Sequence, residues 1–193
     1  MADKSAHKAR VRDRILDEAA AALRSGGTDG LSVANLMKRA GLTHGGFYAH
    51  FENRDDLVAH AVDRMFKDSA GMLHRFLEEG EGDLGALVDY YLAETTMRRV
   101  DRGCPLPWLA GEAPRMPAAA RARFQAGIAA MEEAIAKALI RQGRAEGEAA
   151  RLSASVVAEM VGAMALARAY GDDPHAVATL EAARDAIRRR LAS

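Results

Sequence analysis

The stretch that decides the fold is Leu42-Thr-His-Gly-Gly-Phe-Tyr-Ala-His-Phe51, which follows a glycine that ends one short amphipathic segment. Thr43 suits the N-cap of a new helix, because its hydroxyl can accept a backbone N–H of the following turn. Phe47 and Phe51 are four residues apart and therefore share one helix face. A helix this short is unstable alone, so we expect the two aromatic rings to anchor it to a core.

The remaining side chains of this stretch are predicted to face a partner. His44, Tyr48 and His50 point away from the aromatic pair. Gly45 and Gly46 each cost about 1 kcal/mol relative to alanine in a helix, but they let another molecule approach the backbone closely. Our first hypothesis for that molecule is DNA.

Composition indicates an all-α protein of one to two domains. The chain has 193 residues, of which 49% are apolar and only 5% aromatic, with few prolines. A single cysteine, Cys104, excludes an internal disulfide framework. The charged N-terminus lacks the apolar region of a signal peptide, and no apolar run reaches the roughly 18 residues of a membrane span. We therefore expect a soluble cytoplasmic protein without membrane contact.

Charge is distributed unevenly, although the formal net charge of the chain is zero. Residues 1–54 carry nine Lys/Arg against six Asp/Glu, so the remainder of the chain is negative by the same margin. This asymmetry favours an anionic partner at the N-terminal end. Arg10, Arg12 and Arg14 are either a solvated face or phosphate contacts, and only the neighbouring motif favours the second reading.

A helix-turn-helix pattern precedes and includes the opening stretch. Residues 1–8 are expected to be loose, and a first helix runs from Ala9 to the Ser25-Gly-Gly27 stop. Ser32 is a good N-cap for a second helix over Val33–Ala40, which Gly41 ends. Two short helices joined by a three- to four-residue turn containing glycine are typical of the motif that places its second helix in the major groove.

The run from Gly30 to Leu57 resembles the DNA-binding module of the TetR family of transcriptional regulators, with an aromatic-Tyr-x-x-Phe element followed by Asn, a basic residue and acid-x-Leu. The resemblance is dense over residues 9–66. It implies an all-helical homodimer with a ligand-binding C-terminal domain and repression that a small molecule relieves. We expect about nine helices, with residues 1–54 forming the DNA-binding domain and residues 55–193 the ligand-binding and dimerisation domain.

The resemblance also implies roles for individual residues. Tyr48 and His50 would contact the DNA backbone, while Thr43 and His44 would lie near base edges. Arg54 stands where the family usually has a phosphate-binding lysine, and Gly46 stands where many relatives carry a base-reading side chain. The candidate DNA-binding residues are therefore Ser32, Thr43, His44, Gly45, Gly46, Tyr48, His50 and Arg54.

The rest of the chain is predicted to form six further helices. The first begins after an Asn53 N-cap and continues toward residue 78, and the next spans Leu84–Val100. A short helix follows with Cys104 as N-cap, and long helices cover residues 118–143, 149–170 and 174–191. The segment 149–170 is too apolar for one buried face. The resemblance places the dimer interface in the last two helices, residues 149–191.

Apolar and aromatic residues on these helices are candidates for an effector pocket, because such pockets are mostly apolar with few polar groups. His74, Glu94 and Arg99 are polar groups that could orient a ligand there. The candidate ligand-binding residues are Phe66, Tyr90, Tyr91, Glu94, Met97, Cys104, Trp108, Phe124 and Met131.

These patterns predict a ligand-responsive repressor of a near-palindromic operator, released by a small apolar or aromatic effector. One alternative is a redox- or electrophile-sensing regulator, since a thiol at a helix N-terminus beside Arg98, Arg99 and Arg102 would have a lowered pKa. The inert alternative for Cys104 is a buried small apolar residue. A transcriptional activator is the other alternative. No catalytic, phosphate-binding or metal-binding motif is present, so we expect no enzyme activity, no metal and no cofactor.

Overall fold

A computed structural model describes residues 2–79 and 83–192, and every element in these ranges is helical. The α-helices are α1 Ala2–Gly26, α2 Val33–Arg39, α3 Arg54–His74, α4 Leu84–Tyr91, α5 Glu94–Met97, α6 Leu106–Leu109, α7 Ala118–Arg141, α8 Glu146–Tyr170 and α9 Pro174–Ala192. Two 3-10 segments, His44–Ala49 and Ala113–Arg115, and a π-helical turn, Arg75–Glu79, complete the chain. The predicted all-α architecture is confirmed.

The two domains are joined by α3. This helix packs against α1 of the N-terminal module and against α7 of the C-terminal helices, while α8 packs between α7 and α9. The cap predicted at its start is present, because Asn53 Oδ1 accepts the Asp56 N–H at 2.9 Å. A movement of α3 therefore reaches both domains.

Four details of the sequence-based helix prediction were wrong. The segment expected to be loose is helical from Ala2, since it contains no Gly or Pro that would delay the start. Thr43 makes no side-chain cap bond, and the helix that follows it is 3-10 rather than α. The predicted helix Leu84–Val100 ends at Tyr91, because Ala93 is extended and Thr96 Oγ1 donates to the Tyr90 carbonyl at 2.7 Å. Pro105, not Cys104, occupies the N-cap of the short helix.

The helix α8 is both long and apolar. Its length and hydropathy would suffice to cross a bilayer, but it is a core helix here. Residues along its length are buried among neighbouring helices, including Ala149, Val156, Met160 and Met164. The apolar character of these residues is explained by their burial against neighbouring helices.

Candidate DNA-binding surface and effector cavity

The recognition segment, which we define as residues 43–51, is held to the N-terminal core by two phenylalanines. Phe47 and Phe51 are each 2% exposed, and their ring centroids stack 5.6 Å apart. Tyr48, between them, is 67% exposed. The four-residue spacing thus separates an anchoring face from a solvent face, as the sequence predicted.

The solvent face of this segment brings together four of the eight predicted DNA-binding residues. Thr43, His44 and Gly45 are exposed beside Tyr48, and the His44 and Tyr48 rings meet edge to face with centroids 6.4 Å apart. A hydroxyl, an imidazole and a phenol therefore project from one short turn. Such groups can bind both phosphate oxygens and base edges.

Neither glycine of the pair is required by the fold. A Cβ added at Gly45 would meet nothing within 4 Å, and one at Gly46 would meet only Thr43 Oγ1 at 3.6 Å and Met37 Cε at 3.7 Å. Both distances are ordinary van der Waals contacts. Nothing in the free protein therefore excludes an added Cβ at either position. We expect the steric reason for the two glycines to be the close approach of a binding partner to this surface.

His50 lies at the edge of the recognition segment and is half-buried. Burial lowers the pKa of His50, and the positive charges of Lys8 and Arg12 lower it further. Its Nδ1 is buried without a hydrogen-bond partner. The lowered pKa favours the uncharged form of the ring.

Two other predicted DNA-binding residues already have structural partners. The Ser32 hydroxyl accepts the Asn35 N–H at 3.4 Å and caps α2. The Arg54 guanidinium donates to the Leu31 carbonyl at 3.3 Å and to the Thr28 carbonyl. The structure thus gives Arg54 a role within the turn between α1 and α2, and its phosphate contact stays a prediction.

A cavity of about 230 Å³ lies between α3, the π-helical turn and α7. Its lining residues are Phe66, Ser69, Ala70, Leu73, His74, Leu77, Glu78, Gly127, Ala130, Met131 and Ala134. Gly127 makes room for one wall, because a Cβ there would lie 2.3 Å from Phe66 Cγ. The cavity can hold a small, mostly apolar molecule directly against α3.

The structure brings together only part of the predicted ligand set at this cavity. Phe66 and Met131 line it, and Phe124 packs behind Phe66 with ring centroids 5.4 Å apart. The other six lie elsewhere: Tyr90, Tyr91, Glu94, Met97, Cys104 and Trp108. The sequence did contain a signal that we missed, namely the small residues Gly127, Ala130 and Ala134 on one side of α7.

Two family models match the chain in the order in which these domains occur. A model described as bacterial regulatory proteins, tetR family, matches residues 15–61. A model described as transcriptional regulator LmrA/YxaF-like, C-terminal domain, matches residues 83–186, which is more than half of the chain. This protein belongs to the TetR family of transcriptional regulators.

Solved structures of TetR regulators have the same fold. A regulator from Chloroflexus aurantiacus J-10-FL is 25% identical with a TM-score of 0.79, covering 97% of this chain and 96% of that chain. One from Agrobacterium tumefaciens is 25% identical with a TM-score of 0.77, covering 95% and 98%. One from Legionella pneumophila is 19% identical with a TM-score of 0.79, covering 92% and 95%. No curated protein matches the chain.

The single cysteine of this TetR regulator does not have the environment of a reactive thiol. Cys104 is buried, and burial raises its pKa against the opposing influences of the Leu106 N–H, Tyr91 and Arg168. The lowered pKa that the redox alternative requires is therefore contradicted. A thiol in this state is a weak nucleophile, because the thiolate is the reactive form.

TetR regulators bind DNA and small-molecule effectors as dimers, and this chain has an apolar surface suited to self-association. On α8, Leu166 is 58% exposed and Tyr170 is 49% exposed. Gly162, one turn before Leu166, is open to solvent with nothing near its missing Cβ. Large apolar side chains beside a small residue let another helix approach closely.

Proposed function

We propose that this protein is a ligand-responsive repressor that binds a near-palindromic operator as a homodimer and leaves it when a small apolar or aromatic effector binds. One observation carries the proposal. The helix α3 begins at Arg54, directly after the recognition segment, and forms one wall of the effector cavity twelve residues later at Phe66. A molecule in the cavity and the DNA-binding surface thus act on the same rigid helix.

On the DNA side, Thr43 and His44 read base edges, while Tyr48 and His50 bind phosphates. The exposed side chains of Thr43, His44 and Tyr48 on the anchored recognition segment support this division, and His50 is half-buried at its edge. In a two-fold symmetric dimer, the two recognition segments must lie about 34–36 Å apart to enter successive major grooves.

The effector is expected to be uncharged and apolar, because polar groups at the cavity already have partners. The Ser69 hydroxyl donates to the Met65 carbonyl at 3.1 Å. At the mouth, Arg141 donates to Glu78 at 3.1 Å, and His74 lies 3.6 Å from the Glu79 carboxylate. A charged effector would compete with these pairs, whereas an apolar one would not.

Release follows from differential affinity. An effector that fits the cavity better when α3 is displaced from α7 stabilises that conformation and shifts the population away from the operator-binding one. The effector must bind the displaced conformation more tightly, since equal affinity for both would shift nothing.

The dimer forms through residues 149–191, in which α8 and α9 contribute the interface. The exposed Leu166 and Tyr170 side chains support this location. Substitution of Leu166 by Glu is expected to yield monomers in size-exclusion chromatography, with the helical content of each monomer unchanged.

The experiment that tests the proposal is selection of bound sequences from random DNA with purified protein. A recovered site with two-fold symmetry is expected, and a site without such symmetry contradicts the proposed dimeric operator. A reporter gene behind that site then distinguishes repression, in which the protein lowers expression, from activation, in which it raises expression. Stabilisation by a panel of neutral aromatic compounds in thermal unfolding tests the effector class.

A further inference from the structure

The arginines of the N-terminal module divide into those with and those without an internal partner. Arg14 donates to the Ala40 carbonyl, and Arg24 binds Asp68 at 2.9 Å. Arg39 binds Glu18 at 2.8 Å, and Arg54 donates to two carbonyls. These four guanidiniums already have acceptors within the protein, which reduces their availability for DNA phosphates.

Three cations of α1, Lys8, Arg10 and Arg12, differ from this group. They have no carboxylate or carbonyl partner within residues 5–79 and 83–192, whose side chains the structure describes. Lys8 and Arg12 are four residues apart, so they lie on one face of the helix. The Arg12 guanidinium carbon lies 4.9 Å from the centroid of the Phe51 ring, and both charges act on the neighbouring His50. The pair therefore flanks the end of the recognition segment.

The part of α1 from Ser5 to Arg10 stands clear of the core. Each of these residues is exposed, and Val11, which follows, is buried. The helix nevertheless continues through this region. Lys8 is thus presented on a helical extension beside the recognition segment rather than packed against the module.

We infer that Lys8 and Arg12 form a phosphate-binding ridge on α1, which takes the role that the family resemblance assigns to Arg54. This α1 ridge rests on the proposed DNA-binding function. Two cations without a counter-charge repel each other, and a phosphate placed between them removes that repulsion. Each phosphate neutralised also releases condensed counterions from DNA.

The test is the salt dependence of binding to a short fluorescein-labelled duplex of random sequence, measured by anisotropy. Phosphate contacts do not depend on sequence, so the operator is not needed. Each lost contact reduces the slope of log K against log salt by about 0.9. Lys8→Gln and Arg12→Gln are each expected to reduce it by about that amount, and the double variant by about 1.8.

Lys137→Gln is the matched control, because Lys137 is an exposed cation of α7 in the C-terminal domain and does not line the cavity. It is expected to leave the slope unchanged. Arg12→Lys, which keeps the charge, is expected to retain the slope of the wild type. Lys8→Gln alters no buried side chain, so it reports on DNA binding even if loss of the Arg12–Phe51 contact weakens the fold.

Three outcomes overturn the inference. A double variant with the wild-type slope removes both residues from the phosphate contacts. An equal reduction in Lys137→Gln indicates a general effect of net charge rather than a ridge. If the wild-type protein does not bind the duplex even at low salt, the proposed DNA-binding function fails and the ridge fails with it.

Discussion

The carboxylate of Glu112 accepts two hydrogen bonds from Thr28, one from its N–H at 2.8 Å and one from its hydroxyl at 2.9 Å. Thr28 lies in the turn between α1 and α2, and Glu112 lies between α6 and α7, so the contact joins the two domains. The Arg54 guanidinium donates to the carbonyl of the same Thr28. Gly27 permits the approach, because it has a φ of +64° and a Cβ there would lie 2.1 Å from Glu112 Oε1.

Substitution of Glu112 by Ala is expected to destabilise the protein by about 1.5–3 kcal/mol, because a hydrogen bond to a charged acceptor is worth about that much. Operator affinity should fall as well, because the turn between α1 and α2 loses its hydrogen bonds to the C-terminal domain. Urea unfolding and anisotropy with the selected operator measure the two effects. Glu132→Ala on α7 is the control, and equal stability of the two variants would show that the Thr28 contact is not a stabilising one.

The contact between Glu112 and Thr28 could not be predicted from the sequence alone. The anchoring pair Phe47 and Phe51, the Ser32 cap and the Asn53 cap follow from spacings of a few residues, and all were predicted. Glu112 and Thr28 are 84 residues apart, and no local periodicity relates them. Long-range polar contacts depend on how helices pack, which a pattern within one segment does not contain.

The candidate site was predictable to the same extent. The exposed face of the recognition segment follows from the helical period, whereas the internal partners of Arg54 depend on the position of a distant turn. The apolar character of ligand pockets favours aromatic residues as effector-binding candidates. The cavity instead forms where small side chains on α7, such as Gly127 and Ala130, leave space beside α3. Small residues on α7 that lie opposite a large residue on α3 indicate the cavity better than aromatic residues do.

The glycines of the recognition segment allow a test of close approach to DNA. Gly45→Ala is expected to leave the fold intact or slightly more stable, because nothing lies near the added methyl group and alanine restricts the unfolded chain. Operator affinity is expected to fall about tenfold, which corresponds to about 1.4 kcal/mol of steric conflict with DNA.

The control for this experiment is Gly71→Ala in α3. Gly71 is also exposed, and a methyl group added there would meet nothing within 4 Å. Its stability effect should therefore be similar, while operator affinity stays at the wild-type value. Thermal unfolding and anisotropy separate the two effects. Unchanged operator affinity in Gly45→Ala would mean that the glycine pair does not serve close approach.

Filling the cavity between α3 and α7 is expected to block effector binding. Ala134 lines the cavity, and a phenylalanine there would occupy space that a ligand needs. The neutral fluorophore N-phenyl-1-naphthylamine should bind the wild type with an increase in fluorescence and bind Ala134→Phe at least tenfold more weakly. Ala129→Phe, at an exposed position outside the lining, is the control. Equal binding to all three proteins would place the fluorophore elsewhere.

Cys104 is expected to be unreactive in the folded protein. Its titration is also expected to make the stability of the protein fall as the pH rises. Burial raises the pKa of Cys104 and raises that of Tyr91 well above its usual value. A raised folded-state pKa means that the native protein retains a proton that the unfolded chain releases. The protonated Cys104 thiol therefore contributes its full stability below the pKa that it has in the unfolded chain. This contribution is lost as the pH rises through the pKa that it has in the folded protein.

Three measurements check this expectation for Cys104. Alkylation by iodoacetamide at pH 8 should be slow in the native protein and should approach the rate of free cysteine in urea. Cys104→Ser should bind the operator with wild-type affinity, and neither protein should release it when treated with peroxide. Between pH 8 and pH 10 the wild type should lose more stability than Cys104→Ala, because only the wild type has the thiol proton to lose. Rapid native alkylation, or release of the operator by peroxide in the wild type but not in Cys104→Ser, would instead establish the thiol as a sensor.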